Sequence, residues 1–306
     1  MPLNSTLRLL LLSSIWGASF MFMRIAAPQL GVFSTAFFRV LLGGLGLAAI
    51  LMALRVRWDF RGKWWRSLLI GTVSSGIPFA MFCIAAQFLP AGYSAMFNSA
   101  TPLLGVVIGA SFFHEAMTRD RLIGVLLGLC GVAVLLQTGP VAMNRELLFG
   151  ALACLAASAC YGFQGFLVRD WISVKGGLDS RLLAVGTQIG ATLMLAPLML
   201  GEVWSMASFE AWRDIEVWWA MLALGLVCTS LAYLLFFRLM EDLGPVKPLT
   251  VTMLVPPFGV LWGALFLDEK VTWAHLAGGV LIAGALWLIL FKAPSPRMAS
   301  AAEKPE

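Results

Sequence analysis

The side chains of this sequence that could do chemistry are polar or aromatic groups embedded in long apolar segments. We select nine of them as candidates for contacting a small ligand: Trp16, Arg39, Asn98, Thr101, Tyr161, Gln164, Gln188, Tyr233 and Thr252. Hydroxyl, amide and aromatic groups can hydrogen-bond or stack on a ligand in a buried pocket. They can instead bond neighbouring helices, so we expect about a third of the uncharged polar set, which includes Thr187 and Thr229, to contact a ligand.

Arg39 is the one charged residue well inside an apolar segment. Placing such a charge in a membrane costs about 2.5 kcal/mol or more, so it should face a cavity or a partner. Arg39 attracts a carboxylate or phosphate, or lines a hydrated path; alternatively, it pairs with backbone carbonyls or snorkels outward. Trp16 and Tyr161 present a similar choice: they stack on a ligand, or they pack between helices, which is the favoured reading.

The residue types that most enzymes and metal sites require are sparse. The five cysteines lie in apolar segments without a CxxC pair, so we expect buried packing. His114 and His275 occur in unrelated contexts, and the sequence has no HExxH motif, no clustered Asp pair and no Ser/His/Asp set. We therefore expect no enzymatic activity, no metal site and no cofactor.

Composition indicates that this chain is surrounded by lipid. Its 306 residues are 60% hydrophobic and 12% charged, with a mean hydropathy of +0.89, whereas soluble domains are about 25% charged. The net charge of +5 does not indicate nucleic acid, because the basic residues lie between apolar runs. Since about 20 apolar residues cross a bilayer as a helix, the sequence predicts ten transmembrane helices: 7–27, 31–53, 67–88, 91–113, 122–137, 147–168, 182–201, 217–238, 247–267 and 271–291.

The second half of the sequence repeats the first. A shift of 154 residues aligns 64–127 with 218–281 without a gap. A shift of 145 aligns the first predicted helix with the sixth, and between these blocks Arg39 corresponds to Gln188. The matched residues follow one order along both halves, for example Trp16 with Tyr161, Gly17 with Gly162, Arg24 with Arg169, Pro102 with Pro256, Gly105 with Gly259, Gly109 with Gly263, and Glu115 with Glu269.

The basic residues of the loops predict how the two halves are oriented. With Arg24 and Arg39 assigned to helices, 16 Lys and Arg fall on the side of the N-terminus and 3 on the other side. By the positive-inside rule both termini are then cytoplasmic, and matching loops face opposite sides of the membrane. The predicted fold is an all-α integral membrane protein with ten transmembrane helices as two inverted five-helix repeats. The repeats occupy 1–137 and 147–291, and a disordered cytoplasmic tail follows over 292–306.

Several motifs occur in the same order in both halves. They are Trp16-Gly17, Phe20 and Arg24; Phe38-Arg39; the segments 102–115 and 256–269; and a glycine-rich last helix in each half. Together these motifs resemble the EamA family of the drug/metabolite transporter superfamily, over about 9–290. The resemblance implies ten helices, a location in the cytoplasmic (inner) membrane and movement of small metabolites, often outward. Because the superfamily also includes nucleotide-sugar and triose-phosphate carriers, the resemblance does not fix the substrate.

Other positions bear on how such a transporter would work. Pro102 and Pro256 each remove a helix hydrogen bond, so they are hinges or static kinks. Glu115 and Glu269, at helix ends, are expected to anchor a loop or cap the following helix. Glycines predict close helix packing and, less strongly, dimerisation: Gly124, Gly128, Gly278, Gly279 and Gly284.

The middle of every predicted helix lacks Asp and Glu. Small multidrug antiporters of the same superfamily use a membrane-embedded Glu, where this chain has Ser13-Ser14-Ile15-Trp16. A carboxylate-based proton or cation antiport is therefore disfavoured.

The sequence as a whole predicts a secondary transporter that exports small metabolites such as amino acids by alternating access. The alternatives are an organic-anion or nucleotide-sugar carrier of the same superfamily, or a non-transport membrane subunit. The expected partners are a small-molecule substrate and the lipid bilayer, without nucleic acid, and the chain is expected to be a monomer or weak homodimer.

Overall fold

The described residues are mostly helical. The computed structural model describes 3–138, 144–206, 210–243 and 251–289, and no strand occurs within these ranges. In chain order the helices are α1 Leu3–Leu30, α2 Val32–Ala53, α3 Trp64–Phe88, α4 Ala91–Phe112, α5 Arg119–Thr138, α6 Arg145–Ser173, α7 Ser180–Ser205, α8 Ile215–Leu243, α9 Val251–Phe266 and α10 Trp273–Trp287.

Length and composition make this chain a multi-pass membrane protein. Seven helices, α1 to α4 and α6 to α8, are long and apolar enough to cross a bilayer, and α9 and α10 are shorter apolar helices. Several helices extend beyond the predicted apolar segments, because polar residues continue a helix past its hydrocarbon-facing part. α7 reaches Ser205, so Glu202, which the sequence places in a loop, is helical. Residues 247–250 of the predicted ninth helix, the end of the tenth and the tail 292–306 lie outside the described residues.

The helices of each half pack against helices of the other half. α1 packs on α9 and α6 on α4, while α2 packs on both α7 and α8 and α3 packs on α7. Glycines allow the first two crossings. A Cβ on Gly17 would lie 2.7 Å from the Phe258 Cβ, and a Cβ on Gly162 would lie 2.8 Å from the Gly105 nitrogen. Gly17 corresponds to Gly162 and Gly105 to Gly259, which borders Gly17 at α9. The two crossings are therefore the same contact made twice.

The glycine-rich helices α5 and α10 pack on each other within the chain. A Cβ on Gly131 would lie 3.0 Å from the Gly278 carbonyl oxygen, and a Cβ on Gly278 would lie 3.1 Å from the Gly131 oxygen. Gly128 faces Leu103 on α4 instead. These contacts show how the predicted close packing is achieved, while dimerisation through the same helices stays a prediction.

Two helices widen into π-helical turns at corresponding positions. The turns span Thr72–Gly76 in α3 and Ala223–Leu231 in α8, and the 154-residue shift places 72–76 on 226–230. A π turn adds a residue to the helical circuit, so it changes which side chains face a neighbour, and such turns are frequent at functional sites.

The chain makes the same reversal after α4 and after α9. Two backbone N–H groups donate to one glycine carbonyl in each case: Phe113 and Glu115 to Gly109, both at 3.0 Å, and Leu267 and Glu269 to Gly263, at 3.0 and 3.2 Å. The residue before each Glu has a positive φ, 54° at His114 and 53° at Asp268. This geometry folds both carboxylates back over the helix they follow.

The two carboxylates then bind different partners. Glu115 Oε1 accepts from Arg169 at 3.1 Å, and Glu115 Oε2 lies 3.4 Å from Arg121 Nη1. Glu269 accepts from the N–H of Ala91 at 2.7 Å, which caps the start of α4. Glu269 thus caps an earlier helix, and the helix that follows it, α10, is capped by Thr272.

Candidate functional site

Arg39 lies inside the helix bundle, roughly 10 Å along α2 from its first residue, and is only 5% exposed. Its guanidinium carbon is 3.7 Å from the centroid of the Phe79 ring, a cation–π distance. Its Nη1 is 3.2 Å from Met23 Sδ, a weak acceptor, and Nε has no hydrogen-bond partner among the described residues. Arg39 therefore neither snorkels to the membrane surface nor bonds a backbone carbonyl of the described chain.

Arg39 forms no ion pair with a carboxylate of the described residues. Their ion pairs involve Arg8, Arg121, Arg169 and Arg181, and none includes Arg39. The three internal stretches outside the description, 139–143, 207–209 and 244–250, contain no Asp or Glu in the sequence.

Glu202, on α7, is occupied elsewhere. It accepts from the Ser34 N–H at 2.7 Å and the Ser34 hydroxyl at 2.8 Å, which caps the start of α2. The backbone makes room for this carboxylate at Gly31, whose φ is 96° and whose added Cβ would lie 2.5 Å from Glu202 Cδ. A side chain at Gly31 would displace the cap.

Arg39 forms part of the wall of a cavity of about 400 Å³ that lies between seven helices, α1 to α4, α6, α8 and α9. Eight of the nine predicted ligand-contacting residues line this cavity: Trp16, Arg39, Asn98, Thr101, Tyr161, Gln164, Tyr233 and Thr252. The volume is within the usual range for small-molecule pockets. The structure brings these side chains together, and their contact with a ligand stays a prediction.

Gln188 is the exception. It is completely buried on α7 and donates to the Ser75 hydroxyl at 3.2 Å, and it is not part of the cavity wall. α7 packs behind α3, so the side chain that corresponds to Arg39 in the second half reaches α3 instead of the cavity.

The cavity wall is built from corresponding residues of the two halves. Its aromatic pairs are Trp16 with Tyr161, Phe79 with Tyr233, and Phe82 with Phe236. Its other pairs are Phe20 with Gly165, Ser19 with Gln164, Ser74 with Cys228, Asn98 with Thr252, and Thr101 with Val255. The remaining lining residues have no partner in the wall: Met23, Arg39, Thr229 and Val251. The cavity thus has nearly matched walls and one unmatched charge.

Helix irregularities shape this wall. Ser74 and Cys228 lie in the π-helical turns of α3 and α8. In α4 the helix is interrupted at residues 99–100, just before Pro102, and Thr101 faces the cavity there. α9 continues through Pro256, next to the lining residue Val255. Neither proline lines the cavity, and their role as hinges stays a prediction.

Sequence reasoning missed the apolar part of the wall, above all Phe20, Phe79, Phe82 and Phe236. In the sequence, an apolar side chain that faces a cavity cannot be distinguished from one that faces lipid, because both are apolar residues within an apolar segment. The repeat carried a usable signal, because Phe79 corresponds to Tyr233, which was selected for its hydroxyl.

The cysteines differ in environment. Cys83, Cys154 and Cys228 are buried as expected, but Cys130 is exposed on α5 and Cys160 is half-buried, so the prediction of buried packing is wrong for Cys130. Cys130 lies on a helix with many outward apolar side chains, where a small apolar residue faces lipid at little cost.

The described lining holds one cation, several hydroxyl and amide groups and seven aromatic side chains, and no Asp, Glu or His. Such a wall can hold a ligand by charge, hydrogen bonds and stacking. It offers no pair of groups suited to general acid–base exchange at neutral pH. The arrangement is that of a binding cavity.

Comparison with known proteins gives a match over both halves. The model of the EamA-like transporter family matches residues 5–137 and 148–291. The chain is similar to a Salmonella typhimurium protein named as a probable amino-acid metabolite efflux pump, with 25% identity over 289 residues, 92% of this chain and 93% of that protein. It is also similar to an uncharacterized transporter of Bacillus subtilis, with 21% identity over 278 residues, 90% of this chain and 93% of that protein.

A crystal structure shares the fold. Its TM-score with this chain is 0.62 at 19% sequence identity. The alignment covers 98% of this chain and 99% of the chain in that crystal structure. The likeness extends over the entire arrangement of helices.

Proposed function

The chain belongs to the EamA-like transporter family, and we propose that it exports small metabolites such as amino acids by alternating access across the cytoplasmic membrane. Family membership confirms the resemblance noted in the sequence and makes the protein a transporter with a small-molecule substrate in a lipid environment. The proposal adds the mechanism, the direction and the substrate.

The paired cavity wall is the observation that carries the proposal. Helices of both halves supply corresponding residues to one central cavity, and the two glycine crossings repeat one contact. If two equivalent units enclose a site, each can adopt the conformation of the other, which exposes the site first to one side of the membrane and then to the other.

We further propose ten transmembrane helices in two inverted five-helix repeats, over 1–137 and 147–291, with both termini cytoplasmic. Several contacts support this topology. Arg8 of α1 forms an ion pair with Asp242 at the end of α8, so the start of α1 and the end of α8 lie at one face. Loop residues 54–63 meet the loop between α6 and α7, where Arg61 and Lys63 donate to the Gly176 and Gly177 carbonyls. These contacts join segments that the positive-inside rule assigns to the cytoplasm.

The cavity volume of about 400 Å³ suits a molecule of amino-acid size. The outward direction and the amino-acid class follow the name of the Salmonella typhimurium relative. An organic-anion carrier is a second candidate, because Arg39 presents an unpaired charge to the cavity. A nucleotide sugar is less well suited, since its two phosphates would meet one described cation.

The test is untargeted metabolite profiling of cells with and without the protein, comparing medium with cell extract. We expect at least one small metabolite to accumulate in the medium only when the wild-type chain is present. A Trp16→Ala variant should lose most of this export, because it removes an aromatic side chain from the cavity wall. Trp204→Ala is the control and should retain export, because Trp204 faces outward and is 93% exposed.

Protein amounts in the membrane must be equal for this comparison. If no compound shifts between cell and medium, or if both tryptophan variants behave alike, the proposed export through this cavity is contradicted.

A further inference from the structure

We infer that the cavity selects monocarboxylates with a flat or apolar body and no compensating positive charge, and that Arg39 is the specificity-determining residue. The inference rests on the proposed export of small metabolites and, within it, favours the organic-anion candidate over amino acids. It distinguishes an organic acid from a zwitterionic amino acid of the same size.

Arg39 brings a positive charge to the cavity wall. An arginine stays protonated in proteins, and an unpaired charge is costly in an apolar interior. The described neighbours of the guanidinium are the Phe79 ring and the Met23 sulfur, both uncharged. Nε is buried without a partner among the described residues. The guanidinium therefore keeps free donors for an anion that enters the cavity, and a carboxylate matches its fork geometry.

The net charge of the cavity depends on Arg39 and on the other lining residues. Its described lining includes no Asp or Glu. A bound monocarboxylate brings the net charge of the cavity to zero. A zwitterion has no net charge, so it leaves the Arg39 charge uncompensated and adds an ammonium group. That ammonium would find only neutral acceptors in the lining, such as Asn98, Thr101 and Thr252. A phosphate monoester has close to two negative charges at neutral pH, so it would leave the cavity with a net negative charge.

Aromatic side chains make up much of the remaining cavity wall. Rings from both halves surround the cavity, and several touch one another: Trp16 and Phe236 lie 5.6 Å apart between centroids, and Phe20 and Phe82 lie 5.2 Å apart. Such walls favour an aromatic or aliphatic body over a heavily hydroxylated one. The ligand class is thus an aryl- or alkyl-substituted carboxylate.

The experiment measures binding to the purified full-length chain in detergent by isothermal titration calorimetry. Four probes share a phenylpropyl skeleton and differ in charge: 3-phenylpropionate is an anion, L-phenylalanine a zwitterion, 3-phenylpropylamine a cation and 3-phenylpropanamide neutral. We expect the anion to bind at least tenfold more tightly than each of the others.

Variants then locate the charge. Arg39→Gln should weaken binding of 3-phenylpropionate by about tenfold to a hundredfold and leave the affinity for the neutral amide within about threefold. Arg24→Gln is the matched control, because Arg24 is another arginine of the helix bundle that bonds the Ala86 carbonyl and does not line the cavity. It should leave the order of the four probes unchanged.

The inference is overturned if phenylalanine or the amide binds as tightly as 3-phenylpropionate, if Arg39→Gln keeps full affinity for the anion, or if none of the four probes binds. The comparison of probes on the wild-type chain decides the matter even where Arg39→Gln does not fold. Flux of the same probes into proteoliposomes separates this inference from the proposed function. Binding of the anion without flux contradicts transport of this class, and flux of phenylalanine independent of Arg39 contradicts the inference while transport stands.

Discussion

At the scale of single residues, Arg39 shows a conflict between stability and binding. The guanidinium is buried against an aromatic ring and a thioether, and it forms no ion pair with a described carboxylate. A structural arginine in the same bundle looks different, since Arg24 donates to the Ala86 carbonyl. The empty chain therefore bears a cost at Arg39 that a bound anion would reduce.

Replacing Arg39 by Met should stabilise the empty protein by about 1–3 kcal/mol, because an apolar side chain of similar length needs no counter-charge. Chemical or thermal unfolding of the purified protein in detergent measures this change. Arg24→Met is the control and should be destabilising, since it leaves the Ala86 carbonyl without its donor. A clear loss of stability in Arg39→Met would show that Arg39 is structural instead.

At the scale of helices, the glycine crossings decide how close the two halves approach. Gly17 on α1 meets α9, and Gly162 on α6 meets Gly105 on α4, without room for a Cβ. In a membrane, such close packing supplies much of the association energy, because lipid provides no hydrophobic drive between helices.

Gly17→Ala and Gly162→Ala should each destabilise the fold by about 1–3 kcal/mol, because the new methyl group would force the crossing helices apart. Unfolding in detergent is again the measurement. Because the two crossings are equivalent, the two losses should be similar.

Gly201→Ala serves as the control for helix propensity. Gly201 lies in α7, has nothing within 4 Å of its added Cβ and lies outside the cavity. This change should be neutral or stabilising by up to about 1 kcal/mol. If all three alanine variants behave alike, the crossings are not the tight contacts described above.

At the scale of the whole molecule, the proposed topology makes a direct prediction. Reporter domains fused to the N-terminus and after residue 306 should both be active in the cytoplasm, because basic residues concentrate on that side. A reporter inserted after residue 206, in the acidic connection between α7 and α8, should be active only outside. Termini on opposite faces would rule out the inverted arrangement and with it the exchange of roles between halves.

The interlocked packing bears on movement as well. Since α1 packs on α9 and α6 on α4, the two sequence repeats do not form two separate bundles. Rearrangement in alternating access would then involve groups of helices taken from both halves, and the cavity lies where these groups meet.

The sequence by itself determined that this protein lies in a lipid environment, that it is helical and to which family it belongs. Long, continuously apolar segments predict lipid-embedded helices, because only helices and closed barrels satisfy the backbone there and barrel strands alternate apolar and polar residues. It also pointed to the cavity. Polar groups such as Asn98 and Thr252 are costly in lipid, so they lie where they can be hydrated or hydrogen-bonded. For this reason eight of the nine selected side chains line the same cavity.

Only the tertiary structure decided which face of each helix is functional. Gln188 corresponds to Arg39 in the sequence, yet it bonds Ser75 behind the wall. The sequence places Glu202 in a loop after the seventh predicted helix, yet its carboxylate caps the start of α2. Apolar side chains face lipid, the core and the cavity alike in this protein, so hydrophobicity along one helix cannot separate these three faces. The separation comes from which helices cross, and that is set by contacts between residues far apart in the chain.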